Sequence, residues 1–126
     1  MTEAKSQGKQ ADQSQHDDVR VLVIDNDHAL AHAMGESLER VGYPITVATS
    51  GSEGVKRIEQ DTYDVIVTDL VMSDVDGMEV LARAKKALAE SEVIVVTGHA
   101  SVPKAVEAMQ QGAFNFLQKP ITPDKL

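Results

Sequence analysis

Three features of this chain predict an α/β fold built on a parallel sheet. Short β-branched runs, VRVLVI, ITVA, DVIVT, EVIVVT and FNFL, recur along it, each about the length of a strand. Between them lie segments whose apolar residues return every three or four positions, the period of a helix buried on one side. The runs are also almost continuously apolar, which marks strands covered on both faces, as when crossover helices pack on each side of a parallel sheet.

Residues 1–18 contain no Val, Ile, Leu or Phe and are rich in Gln, Lys, Asp and Ser, so they are expected to form a disordered tail before a domain spanning 19–126. The first helix carries Leu30, Ala33, Met34, Leu38 and Val41 as an apolar stripe, with Gly42 where a left-handed cap is wanted. Ser50 and Glu53 stand at capping-box spacing and start the second helix near Gly51. The third runs from about Gly77 to Ala89 with Val80, Leu81, Ala84 and Leu88 inward, and the fourth begins near Ser101, repeats Val102, Ala105, Val106 and Met109, and stops at Gly112. Thr122 and Pro123 look like the cap and first residue of a fifth helix, truncated or absent here. Right-handed crossovers then favour a flavodoxin-like, doubly wound five-stranded sheet of order 2-1-3-4-5.

Composition narrows the function. At 126 residues and 42% hydrophobic content the chain is a single domain's worth. Twenty acidic against twelve basic residues give a net charge of −8, which repels polyanions and argues against direct nucleic acid binding. The absence of Cys excludes disulfides and thiolate sites and fits a reducing compartment. With no leader-like or bilayer-length apolar stretch, the expectation is a soluble, cytoplasmic protein without membrane contact.

In a 2-1-3-4-5 sheet, strands one and three are neighbours and a crevice opens beyond their C-terminal ends. Strand one ends at Asp25, strand three just before Asp69, strand four at Thr97, and Lys119 follows strand five. Carboxylates converging in a partly buried crevice are costly unless a cation lies between them, and oxygen donors with an incomplete shell suit Mg²⁺.

VLVIDND, VTDLVMSDVDG, VIVVTGHA and FNFLQKP, in this order and spacing, resemble the receiver domain of two-component response regulators over about residues 19–126. The stretch VTGHASVPKAVEAMQQGAFNFLQKP is most similar to receivers of bacterial transcriptional activators of the nitrogen-regulation and dicarboxylate-transport type. The resemblance implies a signalling domain, not an enzyme with a separate substrate, in which Asp69 accepts a phosphoryl group from a sensor histidine kinase. It implies Mg²⁺ held by Asp25, Asn26, Asp69 and the backbone carbonyl of Val71, with Thr97 and Lys119 serving the phosphoryl group. Phe116 would be the switch aromatic that follows Thr97, and His99 and Val71 would modulate phosphate lifetime. The Lys119–Pro120 bond would be cis. The face built by the fourth helix, fifth strand and fifth helix would pair with a second copy or an output domain.

Asn26 departs from the family, which usually has a second metal-binding acid there, and Ser73 stands where a proline is common; both predict a weaker metal site and a looser loop. Two alternatives stay open at this point. A phosphorylation-independent interaction module is suggested by Asn26 and Ser73. A small haloacid-dehalogenase-type phosphatase using Asp25 is suggested by the D-x-D of Asp25–Asn26–Asp27, although few acids follow Lys119 to complete its metal site. His28 and His32 sit four apart on the first helix without a visible third ligand and carry no metal assignment.

Overall fold

The computed structural model describes residues 19–98 and 101–119. Expectations for the tail at 1–18, for His99, for the Lys119–Pro120 bond and for the fifth helix fall outside the described residues. Strands β1 (Val21–Ile24), β2 (Ile45–Ala48), β3 (Val65–Asp69), β4 (Glu92–Thr97) and β5 (Asn115–Gln118) alternate with helices α1 (His28–Arg40), α2 (Gly51–Gln60), α3 (Gly77–Ala87) and α4 (Val102–Gln110). All ladders are parallel and the order is β2-β1-β3-β4-β5, the doubly wound arrangement expected from the βα alternation.

The period of two along each strand divides the core into two layers. Leu22, Ile24, Ile66, Val93 and Val95 point to one side, where they meet Val55 and Ile58 of α2 and Val80, Leu81 and Ala84 of α3. Val21, Val23, Val67, Ile94 and Val96 point to the other, where Leu38 and Met34 of α1 cover them. Asp25 continues the parity of Val21 and Val23, and Asp69 that of Val67, so both acids fall on the α1 side of the sheet.

Register then sets their neighbourhood. Ile24 pairs with Thr68, so the residues that follow each, Asp25 and Asp69, lie side by side. Asp25 N–H continues the ladder to Ala48 O at 3.1 Å, and Lys119 N–H extends the β4–β5 ladder to Thr97 O at 2.9 Å. Two strand ends, Asp69 and Thr97, and the residues that follow two others, Asp25 and Lys119, are therefore fixed by the ladders.

Helix ends follow local chemistry. Asp27 caps α1 by accepting from Leu30 N–H at 3.1 Å. The helix closes with Gly42 at φ 104°, with Gly42 N–H on Glu39 O and Tyr43 N–H on Leu38 O, a pairing that a residue with a Cβ would enter only under strain. Ser50 caps α2 through Glu53 N–H, but the Glu53 carboxylate accepts from Thr49 N–H instead of closing the expected reciprocal bond on Ser50.

Two helical faces differ from their sequence reading. In α1 the buried line runs through Ala31, Gly35 and Leu38, leaving Leu30 and Val41 exposed. In α4 only Ala108 is fully buried, whereas Val102 is 76%, Val106 49% and Met109 48% exposed. Small residues let a helix approach the sheet closely, so they, not the bulkier ones, mark the inward side. Ile66→Ala, at a fully buried site on central β3, is expected to lower unfolding stability in urea by about 2–5 kcal/mol. Val106→Ala on the exposed side of α4 should change it by less than about 0.5 kcal/mol.

Candidate functional site

The acidic run after β1 resolves into three separate roles. Asp25 is buried, with 6% of its surface exposed; its Oδ1 accepts from Asp27 N–H at 2.9 Å and its Oδ2 from Lys119 Nζ at 2.7 Å. Asn26 is exposed at the rim beside it, and Asp27 belongs to the α1 cap. Asp69, the last residue of β3, is 9% exposed; its Oδ1 accepts from Leu70 N–H at 2.8 Å and its Oδ2 lies 3.4 Å from Lys119 Nζ. One half-buried ammonium, reaching back across the ends of β4 and β3, thus serves two carboxylates.

Burial raises the Asp69 carboxyl above the ordinary carboxylate range, and the neighbouring Asp25 charge adds to this while Lys119 opposes it. For Lys119, burial works against the charged form, but the hydrogen bond and charge of Asp25, followed by the charge of Asp69, outweigh it and hold the ammonium above its usual value. Two ionised carboxylates against one ammonium leave the crevice with net negative charge. Such a site favours a further cation.

The rest of the rim is close by. Thr97 is fully buried at the end of β4, and its carbonyl receives the Lys119 N–H. Val71, 52% exposed, stands two residues past Asp69 in the loop to α3. Phe116 is partly buried on β5 against the α2–α3 side of the core. Gly77 closes the loop: its N–H donates to Leu70 O at 2.7 Å, and a Cβ there would come 2.2 Å from the Asp69 carbonyl oxygen. Thr68 Oγ donates to that same carbonyl at 2.9 Å. The structure therefore brings Asp25, Asp69 and Lys119 into contact and places Asn26, Val71 and Thr97 around them.

Among the described residues no three His, Cys, Asp or Glu side chains cluster as a metal site. What the crevice does offer is two buried carboxylates flanked by a neutral amide residue and a backbone loop, an all-oxygen set suited to a hard divalent ion and poorly suited to zinc. The residues present fit a hard divalent ion with one anionic ligand fewer than three acids would give. No described helix is long and apolar enough to cross a membrane.

One feature of the site was not legible as a functional signal. Asp74, in the loop between Asp69 and α3, bonds the start of α2, 22 and 23 residues earlier in the chain. An acid in a loop of SDVDG has no periodicity or spacing that points to such a partner.

Fold and crevice together define a doubly wound α/β domain whose chemistry sits at the topological switch point between β1 and β3. The family model of the response regulator receiver domain matches residues 21–126. The chain belongs to this family. It is 38% identical over 111 residues to transcriptional regulatory protein GlrR of Escherichia coli (strain K12), which covers 88% of this chain and 25% of GlrR. With the C4-dicarboxylate transport transcriptional regulatory protein DctD of Rhizobium meliloti (strain 1021) the identity is 32% over 106 residues, covering 84% of this chain and 23% of DctD. The chain spans about a quarter of the length of these curated relatives.

Among solved structures, a response regulator protein from Burkholderia pseudomallei, described with a phosphorylated aspartic acid, calcium ion and citrate, superposes with TM-score 0.82 at 30% identity, covering 86% of this chain and 64% of that one. The beryllofluoride-activated NtrC4 receiver domain dimer gives TM-score 0.78 at 38% identity, covering 84% and 88%. These likenesses do not favour the phosphatase or the phosphate-independent alternative.

Because Asp69 has a raised carboxyl, its ionisation costs stability at neutral pH, and that cost disappears as pH falls through the folded-state value. In metal-free buffer, Asp69→Asn is expected to raise the melting temperature at pH 7. The gain should shrink as the pH is lowered towards the ordinary carboxylate value of about 4, measured by thermal unfolding across that range.

Proposed function

We propose that this domain takes a phosphoryl group from a phosphohistidine of a sensor histidine kinase onto Asp69 in the cytoplasm. The observation that carries this reading is the buried pair Asp25 and Asp69 sharing Lys119 at the rim between β1 and β3. Asp25, Asn26, Asp69 and the Val71 carbonyl would hold Mg²⁺. When bound, the ion supplies the positive charge that lets an anionic carboxylate approach an anionic phosphoryl group.

A carboxylate oxygen of Asp69 forms the new bond to phosphorus as the bond from phosphorus to the imidazole nitrogen breaks, leaving an acyl phosphate. Lys119, already held between the carboxylates, exchanges part of its contact for a phosphoryl oxygen. The Thr97 hydroxyl donates to another phosphoryl oxygen from the end of β4, and Phe116 follows its movement inward. Val71, exposed two residues past Asp69, governs access of water to the group. The domain assists its own phosphorylation and dephosphorylation.

The output is a change of surface. The exposed Val102, Val106 and Met109 of α4, with Phe114 before β5, supply an apolar face for a second copy or an output domain, in keeping with transcriptional regulators as the longer relatives. Nucleic acid contact is left to that output domain.

Incubation with acetyl phosphate and Mg²⁺ should add one phosphoryl group on Asp69, located by mass spectrometry of the reduced or hydroxamate-trapped peptide, and Asp69→Asn should take none. Label on Asp25 would instead support the phosphatase reading, and no label the phosphate-independent one. Restoring the missing charge with Asn26→Asp should lower the half-saturating Mg²⁺ concentration by ~10–100-fold, on the order of 1–3 kcal/mol. An equal half-saturation in the two chains would refute the role given to Asn26.

A further inference from the structure

Helix α2 begins with three amides, on Gly51, Ser52 and Glu53, that have no carbonyl of their own helix to meet. The Glu53 N–H donates to the Ser50 hydroxyl at 3.1 Å. The other two are taken by one carboxylate from a distant loop: Gly51 N–H donates to Asp74 Oδ1 at 3.0 Å and Ser52 N–H to Asp74 Oδ2 at 3.0 Å. The Ser52 hydroxyl adds a bond to Oδ2 at 2.6 Å, and Val75 N–H one to Oδ1 at 2.7 Å. These bonds, the Ser52 hydroxyl first, hold the Asp74 carboxyl well below the usual carboxylate range, and the positive end of the helix dipole favours the same charge.

A second observation is steric and independent of charge. A Cβ on Gly51 would come 2.1 Å from the Val75 carbonyl oxygen, so the glycine is what lets the loop lie against the first turn of α2. That loop is the one leaving Asp69. Its near end is fixed by Gly77 N–H on Leu70 O, its far end by Asp76 capping α3 through Glu79 N–H at 3.0 Å, and the side chain of Met72 is buried. In between, Ser73 leaves φ unrestrained, and Asp74 supplies the polar anchorage of this stretch.

We propose that Asp74 is a positioning residue for the phosphoacceptor site: by clasping the first turn of α2 it holds the loop that carries Val71 and so sets the place of the Val71 carbonyl beside Asp25 and Asp69. The inference rests on the receiver reading for its functional consequence, but the clasp itself is a property of the loop. It also assigns Ser52 and Gly51 a part in the site although neither touches it. By reciprocity, a ligand that fixes the loop tightens the clasp.

The test uses the intact chain and two readouts by NMR. In Asp74→Ala, backbone order parameters of residues 71–75 should fall from the roughly 0.85 of rigid backbone towards 0.6. The Mg²⁺ dissociation constant, read from the Asp69 and Leu70 amide shifts, should rise roughly 10-fold, the scale seen when partners that orient metal ligands are lost. Asp74→Asn keeps one accepting oxygen and should fall between, and Ser52→Ala, which removes the hydroxyl bond alone, should move both readouts less. Should Asp74→Ala not fold, these two milder variants decide. Order parameters and Mg²⁺ affinity that stay at native values in the folded variants overturn the proposal. A native chain whose amides do not respond to Mg²⁺ counts against the metal site while the order parameters still decide the clasp.

Discussion

Lys119 lies between two carboxylates that the fold has taken out of water, and the arrangement of the crevice depends on that shared ammonium. Burying Asp25 and Asp69 together is unfavourable, since each loses hydration and each repels the other. A cation 2.7 Å from one and 3.4 Å from the other makes the arrangement tolerable without neutralising it. The remaining negative charge is a standing attraction for a divalent ion. A site fully compensated at rest would have little reason to respond.

The sheet delivers this trio through backbone geometry, not through side-chain adjustment. The ladder that pairs Ile24 with Thr68 carries Asp25 to the side of Asp69, and the bond from Lys119 N–H to Thr97 O brings the lysine to the same rim. A slip of one residue in β1 or β3 would send one acid to the α2–α3 side of the sheet. Continuous burial of Val21, Val23 and Val67 under α1 prevents that slip, so the hydrophobic core and the acidic crevice are two consequences of one register.

The loop beyond Asp69 shows how a connecting segment is constrained between strands and helices. Gly77 and Gly51 are both positions where a Cβ would strike a carbonyl oxygen, and both draw the loop inward, one towards Asp69 and the other towards α2. Asp74 replaces by hydrogen bonding what Ser73 does not provide by ring geometry. Helices α2 and α3 and strand β3 thereby share one connection.

Strand positions, the cap of Ser50 and the turn at Gly42 were determined by the sequence itself, because they follow from local stereochemistry, from the period of two along strands and from short-range spacing, and the convergence of Asp25, Asp69 and Lys119 followed from the strand order that right-handed βα crossovers favour. The inward sides of α1 and α4 were decided only in the tertiary structure. An apolar stripe shows that a helix has a preferred face, but how close the helix sits to the sheet selects Ala31, Gly35 and Ala108 over bulkier neighbours. The clasp of Asp74 on α2 belongs to the same class: a carboxylate and the amides it satisfies lie 22 and 23 residues apart, and nothing short of the folded chain brings them within hydrogen-bonding distance.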